Sequence, residues 1–280
     1  MLDPLVVEDL IDRALREDIG FCDLTSELVI PADARADFMI NTRHDIVVAG
    51  LDIAAQVFRR RVPNCTIEVF VKDGARAARG TRLARITGVA RGLLAAERTA
   101  LNILQHLTGI ATETAKYVER IKGTGAVLID TRKTLPGLRA VEKHAVQLGG
   151  GRNHRLGLSD GILIKDNHIS VCGSIRAAVA RAKAGVPVLT RIEVECDRLD
   201  QVREAVEAGA DMILLDNMDT ATMREAVKIV GGKIPLEASG GITLDTVREK
   251  AESGVDYIST GRITQSAPAA DIGLDVTITT

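Results

Sequence analysis

From residue 126 onward, short apolar runs alternate with amphipathic segments, and this rhythm restricts the possible folds more than any other feature of the chain. AVLIDT (126–131), GILIKD (161–166), RIEVEC (191–196), MILLDN (212–217), IPLEASGG (234–241) and YISTG (257–261) read as strands, and the last four begin every 21 to 23 residues. Between them SIRAAVARAKAG, LDQVREAVEAG, TATMREAVKIVGG and TLDTVREKAESG read as helices, several closed by the glycine that accepts left-handed backbone past a helix end. Apolar strands separated by amphipathic helices require a parallel sheet with helices laid against it. A closed or nearly closed β/α barrel fits this spacing better than an open dinucleotide-binding sheet. The glycines of GTGAVL (123–128) precede a strand instead of following one and opening a helix, which is the wrong context for a dinucleotide fingerprint.

Upstream the texture changes. LVVEDLIDRALR (5–16) spaces Leu5, Val6, Leu10, Ile11, Ala14 and Leu15 like one face of a helix. ADFMIN, DIVVAG, CTIEVFV and RLARITG, between residues 36 and 88, read as strands of a small sheet. KDGARAARGTRLARITG has the pattern of a hairpin and is similar to biotinyl- and lipoyl-carrier folds, but a carrier needs its modifiable lysine at an exposed tip and only Lys72 stands ahead of the turn. LLAAERTALNILQHLTGIATETAKYVERIK (93–122) repeats apolar residues at steps of three and four, and Gly109 is expected to break it into two helices.

Charge and composition narrow the partners. Lys and Arg total 36 against 38 Asp and Glu, a formal charge of -2, so no global basic field draws in nucleic acid or an anionic membrane. Aromatic residues make up 2% with no tryptophan, which removes the stacking platforms of single-strand binders. Four cysteines at 22, 65, 172 and 196 form no CxxC pair, pointing to a reducing, cytoplasmic setting. The N-terminus carries acids where a secretory signal carries bases, and no run approaches the ~18 apolar residues of a membrane span.

In a β/α barrel the site lies at the C-terminal strand ends, so the polar residues closing each run are the candidates. They are Thr131, Arg132 and Lys133; Lys165, Asp166 and Asn167; Glu193 and Glu195; Asp216 and Asn217; Glu237, Ser239, Gly240 and Gly241; and Ser259, Thr260 and Gly261. Between the first two strands, Gly149–Gly151 leads into Arg152, Asn153, His154 and Arg155. Any one of these cations would be an ordinary solvated charge. Arg132, Lys133, His154, Arg155 and Lys165 gathered at one barrel mouth would repel without an anionic ligand, and a dicarboxylate beside a phosphorylated sugar would satisfy them. The glycine- and hydroxyl-bearing ends after 239 and 259 suit a phosphate. Glu195 and Asp216 could pair with lysines, or hold Mg²⁺ beside substrate phosphates, directly or through water. His154 by itself reads as a structural hydrogen-bonder, and no paired-histidine spacing supports zinc. A Schiff-base aldolase built on Lys165 and a non-catalytic nucleotide or carrier module remain open on these residues.

AAERTALNILQHLTGIAT, DTRKTLPGLRAVEKHAVQLGGGRNHRLGL and ILIKDNHI closely resemble the quinolinate phosphoribosyltransferase family, and the likeness continues from REDIGFCDLTS through IPADARA to LDNM, EASGGI and STGRITQS. The resemblance implies an α/β fold: an N-terminal α/β sandwich (1–109, joined by the tail 265–280) and an incomplete seven-stranded α/β barrel (110–264). It implies transfer of phosphoribosyl from phosphoribosyl pyrophosphate to quinolinate with Mg²⁺, giving nicotinate mononucleotide, pyrophosphate and CO₂ in NAD biosynthesis. By motif, Arg132, Lys133, His154, Arg155 and Lys165 resemble the quinolinate and phosphate pocket, with Thr131 at its edge and Lys133 and Lys165 in catalytic positions. Glu195 and Asp216 resemble the ribose- and metal-side acids, and Ser239–Gly241 with Ser259–Gly261 the 5′-phosphate cradle. Arg98 resembles an arginine lent across a homodimer interface, although snorkelling of its stem between Leu94 and Leu101 explains it equally well. Dimers of the family also assemble further. Cys22 and Gln265 depart from the usual glycine and histidine, and glutamine keeps a donor but loses the charge option at any phosphate contact. The molybdenum-associated ModD-type paralogue is the nearest alternative, and intact GGGRNHR and KDNH favour the quinolinate enzyme.

Overall fold

The computed structural model describes residues 2–276. The chain forms two compact units. One comprises Met1–Ala115, Thr134–Gly150 and Ile263–Thr280, and the other Lys116–Lys133 and Gly151–Arg262. Residues 110–115 and 134–150, expected with the barrel, therefore group with the N-terminal unit. Helix Arg139–Leu148 is tied there by its C-terminal end: a Cβ on Gly149 would lie 2.5 Å from the Ala111 carbonyl oxygen and 2.6 Å from Thr114 Cβ.

The first helix, Pro4–Ile19, starts where Asp3 accepts the Leu5 N–H and Pro4 fills the first turn, which has no use for a proline N–H. Val7, Leu10, Ile11 and Leu15 form its buried stripe, whereas Leu5 and Val6, assigned to that face from sequence, are exposed. β1 (Arg35–Thr42), β3 (Thr66–Val69) and β5 (Arg82–Val89) join the C-terminal strand Ile272–Val276 in an antiparallel sheet, with β1 between that strand and β5, and β3 on β5's far side. β2 (Ile46–Val47) pairs with β4 (Arg76–Ala77) in register Ile46↔Ala77. The KDGARAARGTRLARITG hairpin therefore does not form. β5 buries Leu83, Ala84 and Ile86 between β1 and β3, leaving no edge for β4.

Helix Ala90–Arg120 runs unbroken for 31 residues through Gly109. The glycine serves close approach, not a break: a Cβ there would sit 2.1 Å from the Pro268 carbonyl oxygen and 3.1 Å from Ala269 Cα. The tail is hydrogen-bonded beside it, by Ala270 N–H to the Gln105 carbonyl (2.9 Å) and Gln105 Nε2 to the Ile272 carbonyl (2.7 Å). A mid-helix glycine costs roughly 1 kcal/mol relative to alanine, and the tail contact offsets it.

In the second unit, β6 (Val127–Ile129), β7 (Ile162–Ile164), β8 (Ile192–Cys196), β9 (Met212–Asp216), β10 (Leu236–Ser239) and β11 (Tyr257–Ser259) form a parallel sheet ordered β6-β11-β10-β9-β8-β7. Six strands pair where seven were expected. On β6's other side a single bridge, Ile129↔Arg152, is held by Asp130 N–H to the Arg152 carbonyl and Arg152 N–H to the Leu128 carbonyl. Helices Ile175–Gly185, Leu199–Ala208, Thr220–Val230 and Val247–Ala251 follow β7 to β10, as the periodicity predicts. Gly209 and Gly231 end two of them in left-handed backbone. Side chains alternate across a strand. One face of the sheet therefore carries Val194, Cys196, Ile213, Leu215, Ala238 and Ile258, all fully buried. The other carries Glu193, Glu195, Leu214, Asp216, Glu237 and Ser239. The acids are thus set two apart on single strands, and the parallel register stacks Asp216 beside Ser239 and Leu214 beside Glu237.

Candidate active site

Because all six strands run the same way, their C-terminal ends share one rim, and a cavity of about 560 Å³ opens there. Thr131, Arg132, Lys133, His154, Arg155, Lys165, Glu195, Asp216, Ser239, Gly240, Gly241 and Ser259, all selected from sequence, line it. Thr260 and Gly261 do not. The Thr260 hydroxyl donates inward to the Ile242 carbonyl (3.3 Å), and Gly261 lies under the Lys133 stem, where a Cβ would come within 2.8 Å of Lys133 Cδ. Arg98 is exposed on the long helix of the first unit, outside this cavity's lining. Gln265 is exposed as well and does not line it.

Each cation is set by local backbone chemistry. Lys133 N–H donates to Thr131 Oγ1 (3.0 Å), folding the chain back directly after β6. Lys165 N–H donates to His168 Nδ1 (2.9 Å), so the histidine of KDNH closes the turn that leaves Lys165 at the end of β7. The Lys165 ammonium meets Glu195 Oε2 at 2.5 Å. Arg155 donates to the Gly161 carbonyl (3.1 Å), and burial, then the like charge of Arg132, lower its pKa. That crowding of positive charge is what an anionic ligand relieves.

Asp130, absent from the sequence-selected set, organises one wall. It is completely buried and accepts His154 N–H (2.9 Å) and Asn153 Nδ2 (2.7 Å), so it shapes the loop that presents His154 and Arg155. Its signal in the sequence was an acid closing an apolar strand immediately before Thr131. Glu193, Asn217 and Glu237 were noted as strand-end groups without a role. His154 Nε2 lies 2.8 Å from Glu193 Oε2 and 3.4 Å from Glu237 Oε2, and burial followed by the Glu193 charge pushes the Glu237 carboxyl well above the usual range. Leu163 and Leu214 give the cavity an apolar floor that a search for charged residues passes over.

The hydroxyl and glycine loops meet where Ser259 Oγ donates to Ser239 Oγ (2.9 Å). Gly240 and Gly241 have φ of +85° and +63°, and a Cβ on Gly240 would strike Asn217 Oδ1 at 2.1 Å. Only glycine fits the first of these positions, since it avoids both the left-handed strain and the collision.

Glu195 and Asp216 both line the cavity, from the ends of the neighbouring strands β8 and β9. Glu195 is engaged by Lys165 and Asp216 Oδ2 by Asn217 Nδ2 (2.7 Å), and among the described residues they belong to no cluster of three protein donors.

Comparison with known proteins agrees with this geometry. The quinolinate phosphoribosyl transferase N-terminal domain family matches residues 23–108 and the C-terminal domain family residues 110–275. The chain is 41% identical to a probable nicotinate-nucleotide pyrophosphorylase [carboxylating] of Bacillus subtilis, covering 98% of this chain and 94% of that protein. It is 42% identical to the nicotinate-nucleotide pyrophosphorylase [carboxylating] of Mycobacterium leprae, covering 96% of each. The nicotinate-nucleotide pyrophosphorylase structure from Francisella tularensis superposes with a TM-score of 0.95 at 38% identity, over 99% of this chain and 98% of that one. With matched domains spanning nearly its whole length and a cavity of clustered cations at its strand ends, the chain belongs to the quinolinate phosphoribosyl transferase family.

Proposed function

We propose that this site joins quinolinate to phosphoribosyl pyrophosphate, releasing pyrophosphate and CO₂ and forming nicotinate mononucleotide. One observation carries the reading: cations from three separate segments, Arg132 and Lys133, His154 and Arg155, and Lys165, line a single cavity opposite a glycine–hydroxyl loop. Arg132 and Arg155 offer planar forks to the ring carboxylates, and Lys133 and Lys165 act as point charges. The Ser239–Gly241 turn and Ser259 receive the 5′-phosphate through hydroxyls and backbone N–H groups. Held so, the pyridine nitrogen attacks C1 of the ribose as pyrophosphate departs, and Glu195 and Asp216 favour positive charge on the sugar. Glycosylation makes the ring nitrogen formally positive. The C–C electron pair left as CO₂ departs is stabilised by that adjacent charge with no base needed, and uptake of a proton at that carbon then gives nicotinate mononucleotide. Glu195 and Asp216 would hold Mg²⁺, which supplies charge neutralisation for the diphosphate.

In the same reading, the parallel sheet with its Arg152 bridge is the family's incomplete barrel and the antiparallel unit its α/β sandwich. The working form is a cytoplasmic homodimer, or an assembly of dimers, with Arg98 of each subunit serving the partner's site. No helix among the described residues is long and apolar enough to cross a membrane. Supplying both substrates with Mg²⁺ and following pyrophosphate and CO₂ tests the reaction. Release of both in equal amounts is expected, and neither product appearing would reject it.

A further inference from the structure

At the cavity, His154 meets Glu193 and Glu237, two acids to which the reaction above gives no role. Their donor atoms all lie within 4.8 Å of one another, with both carboxylates buried. His154 Nε2 and Glu193 Oε2 are hydrogen-bonded at 2.8 Å, with the imidazole the donor to an ionised Glu193, and Glu237 Oε2 approaches the same nitrogen at 3.4 Å. This fixes the ring from behind. His154 lines the cavity, and its other nitrogen, Nδ1, has no partner among the described residues. Among the described residues, the buried atoms Glu193 Oε1 and Glu237 Oε2 have no hydrogen-bond partner. Apart from the Ser259 hydroxyl, which also bonds the Glu237 carboxyl, the pair is engaged with His154 and with each other.

We propose that Glu193 and Glu237 are positioning residues acting as one unit: they hold His154 through Nε2–H and fix the ring's orientation, so that an Nδ1–H can donate to a carboxylate of the dicarboxylate substrate. The inference rests on the proposed function. Two enclosed carboxylates side by side cannot both stay ionised at no cost, and burial together with the Glu193 charge favours the neutral form of Glu237. A neutral Glu237 can donate to Glu193 while Glu193 takes the imidazole hydrogen. Glutamine at 237 preserves that pattern of donors, whereas leucine abolishes it.

The test measures quinolinate binding by calorimetry and steady-state KM for both substrates in the wild type, Glu237→Gln, Glu237→Leu, His154→Gln and the double variant His154→Gln/Glu237→Leu. Glu237→Leu should weaken quinolinate binding about 10- to 100-fold, the scale of a misplaced contact group. Its KM for phosphoribosyl pyrophosphate should stay within about twofold, the signature of lost binding confined to one substrate. Glu237→Gln should stay close to wild type. The double variant should be no worse than His154→Gln, because residues acting through one another are not additive. Losses that multiply, equal weakening for both substrates, or a glutamine variant as poor as leucine would overturn the inference. If Glu237→Leu does not fold, Glu193→Gln takes its place under the same criteria and must add nothing to His154→Gln. A wild-type chain that neither binds nor turns over quinolinate would remove the proposed reaction and this inference together. Normal wild-type activity with unaffected variants would remove only the inference.

Discussion

Replacing Gly240 by alanine probes the phosphate loop with a magnitude that follows from its geometry. At φ +85° alanine pays the left-handed penalty, and its Cβ would lie 2.1 Å from Asn217 Oδ1, 2.6 Å from Cγ and 2.9 Å from the Asn217 backbone nitrogen. Rotating the amide away clears the first two contacts but breaks its hydrogen bond to Asp216, and the backbone contact remains. Strain of about 1–2 kcal/mol and overpacking of about 1–3 kcal/mol, less the roughly 0.4–1 kcal/mol of entropy alanine removes from the unfolded chain, give about 1–4.5 kcal/mol of destabilisation. Gly231→Ala is the control, because its φ is +59° but the nearest atom to a Cβ is the Lys228 carbonyl oxygen at 3.8 Å. It should pay strain alone, about 1 kcal/mol. Urea unfolding of both variants separates the steric part. Steady-state kinetics of Gly240→Ala should show KM for phosphoribosyl pyrophosphate rising about tenfold or more, with quinolinate much less affected. A Gly240→Ala protein no less stable than Gly231→Ala, with both KM values unchanged, would refute the argument.

Arg132→Ala and Lys165→Ala should each lower kcat/KM about 10²- to 10³-fold with little change in thermal unfolding. Near-normal turnover in both would remove the pocket assignment. Mixing Arg98→Ala with Arg155→Ala subunits should restore part of the activity lost in each, measured in verified heterodimers, and no recovery would count against a shared site. Burial pushes the Cys196 thiol up to about 12, so at pH 8 only about 10⁻⁴ of it is thiolate. Iodoacetamide on the native protein should therefore label exposed Cys22 and spare Cys196 until denaturant is added. Rapid native labelling of Cys196, read by mass spectrometry, would contradict its enclosure.

The strand–helix alternation and the polar residue closing each strand were legible because both depend on local periodicity. Lys165, Glu195, Asp216 and Ser239 stand where the register of their own strands puts them. Gly109 was misread for the same reason: within its helix a glycine is a defect, and only the Pro268 carbonyl, 159 positions along the sequence, shows why no larger residue fits. The hairpin around residue 76 failed because its pattern matches a local turn, while pairing was settled by which edges β1, β3 and β5 leave open.

Buried polar chemistry lies beyond local pattern altogether. Asp130, Glu193 and Glu237 have in the sequence the look of ordinary acids in apolar runs, and nothing nearby distinguishes an acid facing solvent from one facing a histidine. Sequence by itself determined the parallel α/β unit and the residue types at its rim, since alternation and turn chemistry act over a few residues. Tertiary structure alone decided which acids are enclosed and what they hold. Desolvation and hydrogen-bond partnership arise from segments such as 130, 154, 193 and 237 meeting, and their separation along the chain carries no trace of that meeting.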